Sequence, residues 1–462
     1  MGEPLEADLL IAGAMLVTMD PARRVIADGA LAIAGDRLVA VGKRAEVERQ
    51  VRAKAVLEAG GLLATPGFID AHIHITGDPL TRGFVRGGPG VGPAERLSRW
   101  VIPIFRAQTP AEEAIAARCA ALAMMAAGTT AFLEAGTVSH LDAVMEALAP
   151  TGIRGRLGEW VEGRAWNPAD DEAQVASRAI AQLEGEIARW PDDGGRLAAW
   201  PLLVGHSTNP DPVWRAAKAL ADEHGLGVSA HMSPRAGDPA WFLAAYNRRP
   251  IEHLADIGVL GPNVCLTHLA DIDAAEAALV GETGVNAVLC PHAALMGGFG
   301  LSRIGLYPEM RAAGVAIATG TDGVATDILS AARLTAAAFR DARQDETLFG
   351  PADILEMATL GGARALGLEA EIGSLEVGKR ADIVLHDTDL PEWGPLFDPA
   401  GQLALDAQPR GIHTVFIDGV KVIEAGRSTL IDEAELMAQV RSAGAAVIAR
   451  TGLPTLTTWP VQ

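Results

Sequence analysis

Residues 109–134 read TPAEEAIAARCAALAMMAAGTTAFLE. Thr109 is a helix N-cap, Pro110 suits the first helical position, and Glu112 completes a capping box by reaching back to the cap. Gly128 stops the helix, because glycine adopts the left-handed conformation of a terminus without a side-chain clash. The six residues that follow, TTAFLE, form an apolar run that reads as a strand. Helix and strand in alternation are the signature of a parallel sheet wrapped by helices. The unit recurs downstream, where Asp211 and Pro212 open a helix through VWRAAKALADEH, Gly225 closes it, and LGVSAH follows as a short strand.

Outward from these units, eight apolar runs lie between about residue 66 and residue 322: GFIDAH, TTAFLE, IRGRLGEW, LAAWPLLVGH, LGVSAH, NVCLTH, VNAVLC and VAIATG. Eight βα units in about 260 residues suit a closed (β/α)8 TIM barrel, whose reactive groups sit at the C-terminal ends of the strands. The barrel is placed at 65–370. Residues 8–64 and the segments ADIVLHD and HTVFIDGVKVIEAG read instead as short strands joined by Gly and Asp-Gly turns. The expected fold is therefore α/β, with 1–64 and 371–430 forming a small β-sandwich lobe and 431–462 a C-terminal helix and tail.

Composition narrows the function classes. The chain has 462 residues, 49% hydrophobic and 21% charged, which suits a large folded core. Its net charge of −20 disfavours nucleic acid and anionic membranes as partners and favours a small-molecule substrate that is uncharged or cationic. Cys119, Cys265 and Cys290 form no CxxC pair, so neither a disulfide framework nor a cysteine-rich zinc site is expected, and a reducing cytoplasm fits. The acidic start MGEPLEADLL does not resemble a signal peptide. The longest uncharged stretch, 283–302, is broken by Asn286, Pro291, His292 and glycines, which excludes it as a membrane span.

His72 and His74 stand two apart in a strand, so both side chains share one face and can grip one ion. His231 and His268 each close a separate strand, and Asp322 lies in GTDG just past the eighth. All five would meet on one rim of the barrel. Neutral imidazoles with a carboxylate suit zinc, iron or cobalt, and an incomplete protein shell leaves room for a water made acidic by the ion.

These residues sit in an ordered set of segments: TPGFIDAHIH, RGF at 82–84, AAGTTAF, SAH at 229–231, IEHL, the strand ending at His268, CPHAAL, GTDG, GSLEVGKRADIVL and VFIDGVKV. Together they resemble the amidohydrolase superfamily over nearly the whole chain, in the branch of triazine chlorohydrolases and of guanine and adenosylhomocysteine deaminases. The resemblance implies one divalent ion per subunit, zinc first and cobalt or iron as alternatives, held by His72, His74, His231 and Asp322. It further implies His268 contacting the nucleophile or the substrate oxygen, and Asp322 acting as general base. Barrels of this kind are commonly homo-oligomers.

The sequence departs from that pattern at Pro234, where members that release ammonia usually carry a glutamate three residues after the fifth-strand histidine. Proline shuttles no proton. His292 in CPHAAL is a second departure. His206, His292, Glu134 and Trp100 are candidate substrate contacts, with Trp160, Phe84 and Phe299 as further apolar lining. Against this, a lone histidine such as His206 is more often a bonded core residue, and Glu134 reads more readily as half of a buried ion pair with an arginine. His253 in IEHL reads as structural.

Without the glutamate, leaving groups that need no proton are favoured, so the first expectation is cleavage of a carbamate, thiocarbamate or urea carbonyl, as in the similar molinate and phenylurea hydrolases. In it Asp322 orients an activated water towards a carbonyl polarised by the ion and His268. The alternative is deamination or dechlorination of a nitrogen heterocycle, with His206 or His292 in place of the glutamate. A catalytically silent scaffold is the third reading.

Overall fold

The computed structural model describes residues 4–85 and 90–456, so the end of the expected tail, 457–462, lies outside the described residues. Five strands come first: Leu5–Val17 (β1), Val25–Ala34 (β2), Arg37–Lys43 (β3), Val51–Glu58 (β4) and Leu62–Pro66 (β5). Nine short strands follow among helices: Phe68–Ile73 (β6), Thr129–Glu134 (β7), Arg154–Leu157 (β8), Leu197–Ala199 (β9), Leu202–Gly205 (β10), Val228–Met232 (β11), Val264–His268 (β12), Asn286–Leu289 (β13) and Ile317–Thr319 (β14). Ile383–Asp387 (β15), Ile412–Ile417 (β16), Val420–Glu424 (β17) and Arg427–Ser428 (β18) complete the set.

The two ends of the chain share one nine-stranded sheet, ordered β18-β17-β16-β15-β5-β1-β2-β3 with β4 beside β1. The seam is β5 against β15, antiparallel, with Leu385 opposite Ala64. Alternate residues of β1 and β2 face opposite sides. Ile11, Leu31 and Ile33 join Ile383, Leu385 and Phe416 in one apolar cluster, while Leu10, Ala12, Ala30 and Ala32 pack with Val47 in another. Val47 belongs to a helix, Arg44–Gln50, that the strand pattern did not suggest. With one buried residue in seven it has almost no apolar periodicity, and an Arg44–Glu48 pair at 2.7 Å supports it instead.

The strands between form two parallel sheets, β6-β7-β8-β9 and β10-β11-β12-β13-β14. The expected fourth run is split into β9 and β10 at Trp200-Pro201, since proline offers no N–H to a neighbouring strand. The third run keeps only Arg154–Leu157, and its polar pattern has a reason. Arg154 is fully buried against Asp418 at 2.6 Å and Asp382 at 3.3 Å, both from the C-terminal strand region. At the other edge β14 leads back to β6, where the Asp322 N–H donates to the His72 carbonyl at 2.9 Å.

The helix Pro110–Ala126 carries the expected capping box, with Glu112 N to Thr109 Oγ1 at 3.3 Å and Thr109 N to Glu112 Oε2 at 2.8 Å. Asp211–His224 ends at Gly225 in the left-handed conformation. The last helix, Glu433–Thr451, packs Ala443 and Val447 on Leu80 and Ile104. Among the described residues no helix is long and apolar enough to cross a membrane, and the three cysteines are unpaired.

Candidate metal centre

Two strands and the segments that follow β6 and β14 bring four ligand-bearing side chains together. His72 lies on β6, His74 just beyond it, His231 on β11 and Asp322 three residues past β14. One ligand atom from each lies within 4.8 Å of all the others. Asp322 Oδ1 is 2.9 Å from His74 Nε2 and 3.6 Å from His72 Nε2.

The outer nitrogens of these histidines are occupied. His231 Nδ1 meets the Val204 carbonyl at 2.9 Å, and because a carbonyl only accepts, Nδ1 carries the proton and Nε2 the lone pair. His72 Nδ1 meets Thr267 Oγ1 at 3.1 Å and His74 Nδ1 meets Thr137 Oγ1 at 2.9 Å. His72 Nε2 is buried with no hydrogen-bond partner. Three imidazoles anchored through Nδ1, an orphaned inner nitrogen and a carboxylate together fit a borderline divalent ion such as zinc. Burial, reinforced by the neighbouring histidines, pushes the pKa of His231 well below the ordinary range and keeps it neutral. Burial opposes the charge on Asp322, yet the adjacent His72 and His74 imidazoles hold its carboxyl well below the usual carboxylate range.

His268, the last residue of β12, packs its ring against His72 and His231 at 5.8 and 5.6 Å. Burial pushes its pKa down to about 3, and its Nδ1 has no partner. Both His268 and Asp322 have positive φ, 85° and 57°, a sparsely populated conformation for residues other than glycine. Asp322 is held there by its N–H bond to His72 and by the preceding residue, Thr321, whose N–H and hydroxyl donate to buried Asp70 at 3.0 and 2.5 Å. Gly320 permits this closure, since a Cβ there would stand 2.7 Å from His72 Cβ.

His206 joins the group, its ring stacked on His231 at 5.5 Å. Its Nδ1 is 2.7 Å from Asp238 Oδ2, which also accepts from the Ser233 N–H at 2.8 Å. Asp238 escaped sequence reasoning because its partner lies 32 residues away. Cys290 was also passed over: it is buried near His268 and Asp322, and burial raises its thiol pKa well above the ordinary value.

The remaining candidates divide. Glu134 meets no arginine among the described residues, contrary to the ion pair expected of it. Its carboxylate accepts instead from Gly136 N, Thr137 N and Thr137 Oγ1 at 2.5, 3.0 and 2.8 Å, so it braces the threonine that holds His74. Trp100 is buried, and its Nε1 donates to the Pro454 carbonyl at 2.8 Å. His292, with Nδ1 buried and unpartnered, makes none of the ring contacts that link the five clustered histidines. Phe299 packs edge-on to His268 at 5.6 Å, whereas Trp160 donates to Glu162 and Phe84 packs with Leu80 and Ile104. His253 is held by Asp211 at 2.8 Å and stacks on Tyr246, a structural role.

Residues 63–422 match the model of the Amidohydrolase family. The chain is 30% identical over 453 residues to a 5-methylthioadenosine/S-adenosylhomocysteine deaminase of Syntrophobacter fumaroxidans, covering 97% of this chain and 99% of that protein. It is also 30% identical to the deaminase of the same name from Symbiobacterium thermophilum, over 95% and 99% of the two chains. Among solved structures, an adenosine deaminase from Xanthomonas campestris with bound zinc superposes with a TM-score of 0.87 at 27% identity, over 96% of this chain and all of that one. The atrazine chlorohydrolase of Arthrobacter aurescens TC1, complexed with zinc, shares the fold with a TM-score of 0.85 at 23% identity, over 94% of this chain and all of that one. The chain therefore belongs to the amidohydrolase family and is a hydrolase.

Proposed function

We propose that this enzyme hydrolytically deaminates a nitrogen heterocycle of the purine type, with one divalent ion per subunit. The observation that carries the reading is the full-length likeness to deaminases, joined to a site with three inward-facing imidazoles and a carboxylate. It displaces the carbamate, thiocarbamate or urea cleavage that the missing glutamate suggested. On the same reading β6 to β14 make up one (β/α)8 barrel, and the nine-stranded sheet is a β-sandwich lobe wrapped around a shared core.

His72, His74, His231 and Asp322 would hold the ion, with zinc preferred for the imidazole-rich set. When bound, such an ion acts as a Lewis acid and lowers the pKa of water towards neutrality. Asp322, ionised and facing the same point, is placed to take the proton of the attacking water. His268, kept neutral by burial, offers a hydrogen bond to the reacting edge of the heterocycle. Pro234 contributes no proton, and His206 oriented by Asp238 is the acid–base pair beside His231 that would serve the departing amine in its place.

The test is a screen of zinc-loaded protein for ammonia release from adenosine, 5-methylthioadenosine and S-adenosylhomocysteine, run beside a thiocarbamate and a phenylurea. Ammonia release that is abolished by Asp322→Asn is expected. Turnover of the carbonyl substrates without ammonia from any nucleoside would overturn the assignment.

A further inference from the structure

On the deaminase reading, we propose that Arg235 is a specificity-determining residue that receives an anionic group, carboxylate or phosphate, on the part of the substrate remote from the reacting ring.

The turn that follows β11 reads Ser233-Pro234-Arg235, so an arginine comes directly after the proline that replaces the usual proton relay. Its guanidinium lies 4.4 Å from the centroid of Phe299, and Nη2 donates to the Gly297 carbonyl at 3.2 Å. Phe299 in turn stands edge-on to His268 at 5.6 Å. Arg235 thus reaches from the loop after β11 to the loop after β13, spanning the end of β12 where His268 sits. One phenyl ring separates the cation from a histidine of the metal centre. A heterocycle held at His268 would run along that ring and present its tail to the guanidinium.

What marks Arg235 is its lack of a counter-charge. No carboxylate pairs with it among the described residues, in a chain carrying 58 acidic residues. The acid on its own turn, Asp238, is already engaged by His206 and the Ser233 N–H. Burial draws the pKa of Arg235 down, with no neighbouring acid to oppose it. On the same turn Ser233 Oγ is buried without a hydrogen-bond partner. Nearby Arg164 is different: its fork is spent on the Ser207 carbonyl at 2.7 Å, the Tyr246 hydroxyl at 3.2 Å and Glu172 at 3.4 Å. A half-buried guanidinium with one carbonyl for five N–H donors has a planar edge left over, and that edge matches the two oxygens of a carboxylate or phosphate.

The experiment compares wild type with Arg235→Gln and Arg235→Lys on two matched pairs, S-adenosylhomocysteine against 5-methylthioadenosine and AMP against adenosine. The readouts are kcat/KM for ammonia release and, independently, dissociation constants by calorimetry on the same zinc-loaded proteins carrying Asp322→Asn, which turn no substrate over. Losing a charge-assisted hydrogen bond predicts that Arg235→Gln lowers the preference for the carboxylate- or phosphate-bearing member of one pair by about 10- to 100-fold. Arg235→Lys should keep part of that preference, and added salt should erode it in the wild type. A drop confined to the first pair assigns the carboxylate, and one confined to the second assigns the phosphate. If wild type binds neither the carboxylate- nor the phosphate-bearing member better than the partner that lacks the group, or if Arg235→Gln leaves both ratios unchanged, Arg235 only clips the Gly297 loop and the proposal falls. Absence of ammonia from all four compounds refutes the deaminase reading separately, because the binding ratios are measured without turnover.

Discussion

The hydroxyl of Thr137 stands 2.9 Å from Nδ1 of His74. Since the same hydroxyl donates to Glu134 at 2.8 Å, it accepts from the imidazole, and a line of hydrogen bonds runs from a buried carboxylate to a metal ligand. Thr137→Val keeps the shape and removes the link. It is expected to weaken zinc binding about 10- to 100-fold in competition with a chelator, and Thr137→Ser should restore most of it. Equal affinity in the valine variant would show that the link does not orient His74.

At Gly320 the chain passes close to β6. A methyl group there would lie 2.7 Å from His72 Cβ and 2.8 Å from the His72 carbonyl, so the backbone must shift. Gly320→Ala should lower zinc per subunit, measured by elemental analysis, and reduce activity with it. Gly60→Ala, at a site with nothing within 4 Å, is the control and should retain its metal.

Arg154 is buried between Asp382 and Asp418. Arg154→Met would leave two carboxylates in a dry interface without their main cation. A loss of about 3–5 kcal/mol is expected, read as a lower denaturation midpoint. The triple variant Arg154→Met, Asp382→Asn, Asp418→Asn should recover part of it, because it removes the stranded charges as well.

Glu186 supplies a pH dependence. Burial raises its pKa to about 7, although the Glu159 N–H donates to it at 3.1 Å and Gln182 at 2.9 Å. The unfolded chain releases this proton near the ordinary glutamate value of about 4.3, whereas the folded chain holds it to about 7. The stabilising proton is therefore fully present below about 4.3 and is lost as pH rises to about 7, a change on the order of 3 kcal/mol. Melting temperature measured from pH 4.5 to 8 should fall less steeply for Glu186→Gln than for the wild type. Parallel curves would place the titration elsewhere.

Local rules made much of this protein legible. The capping box at Thr109 and Glu112 acts within four residues, and the shared face of His72 and His74 follows from a two-residue period. Where a local pattern was weak, the reason is physical. β8 carries two buried arginines, Arg154 and Arg156, so its apolar signal is diluted, and Pro201 divides what reads as one run into β9 and β10.

By itself the sequence determined the order of strands and helices and the histidines and aspartate that end them, because caps, breakers and side-chain periodicity act over a few neighbouring residues. Only the tertiary structure decided what those groups do to one another. Thr137 meets His74 across 63 residues and Asp70 meets Thr321 across 251, contacts that exist because particular strands lie side by side and β14 returns to β6. The engagement of Asp238 by His206 and the unpaired charge of Arg235 are likewise properties of neighbours in space, set by a packing that no local pattern encodes.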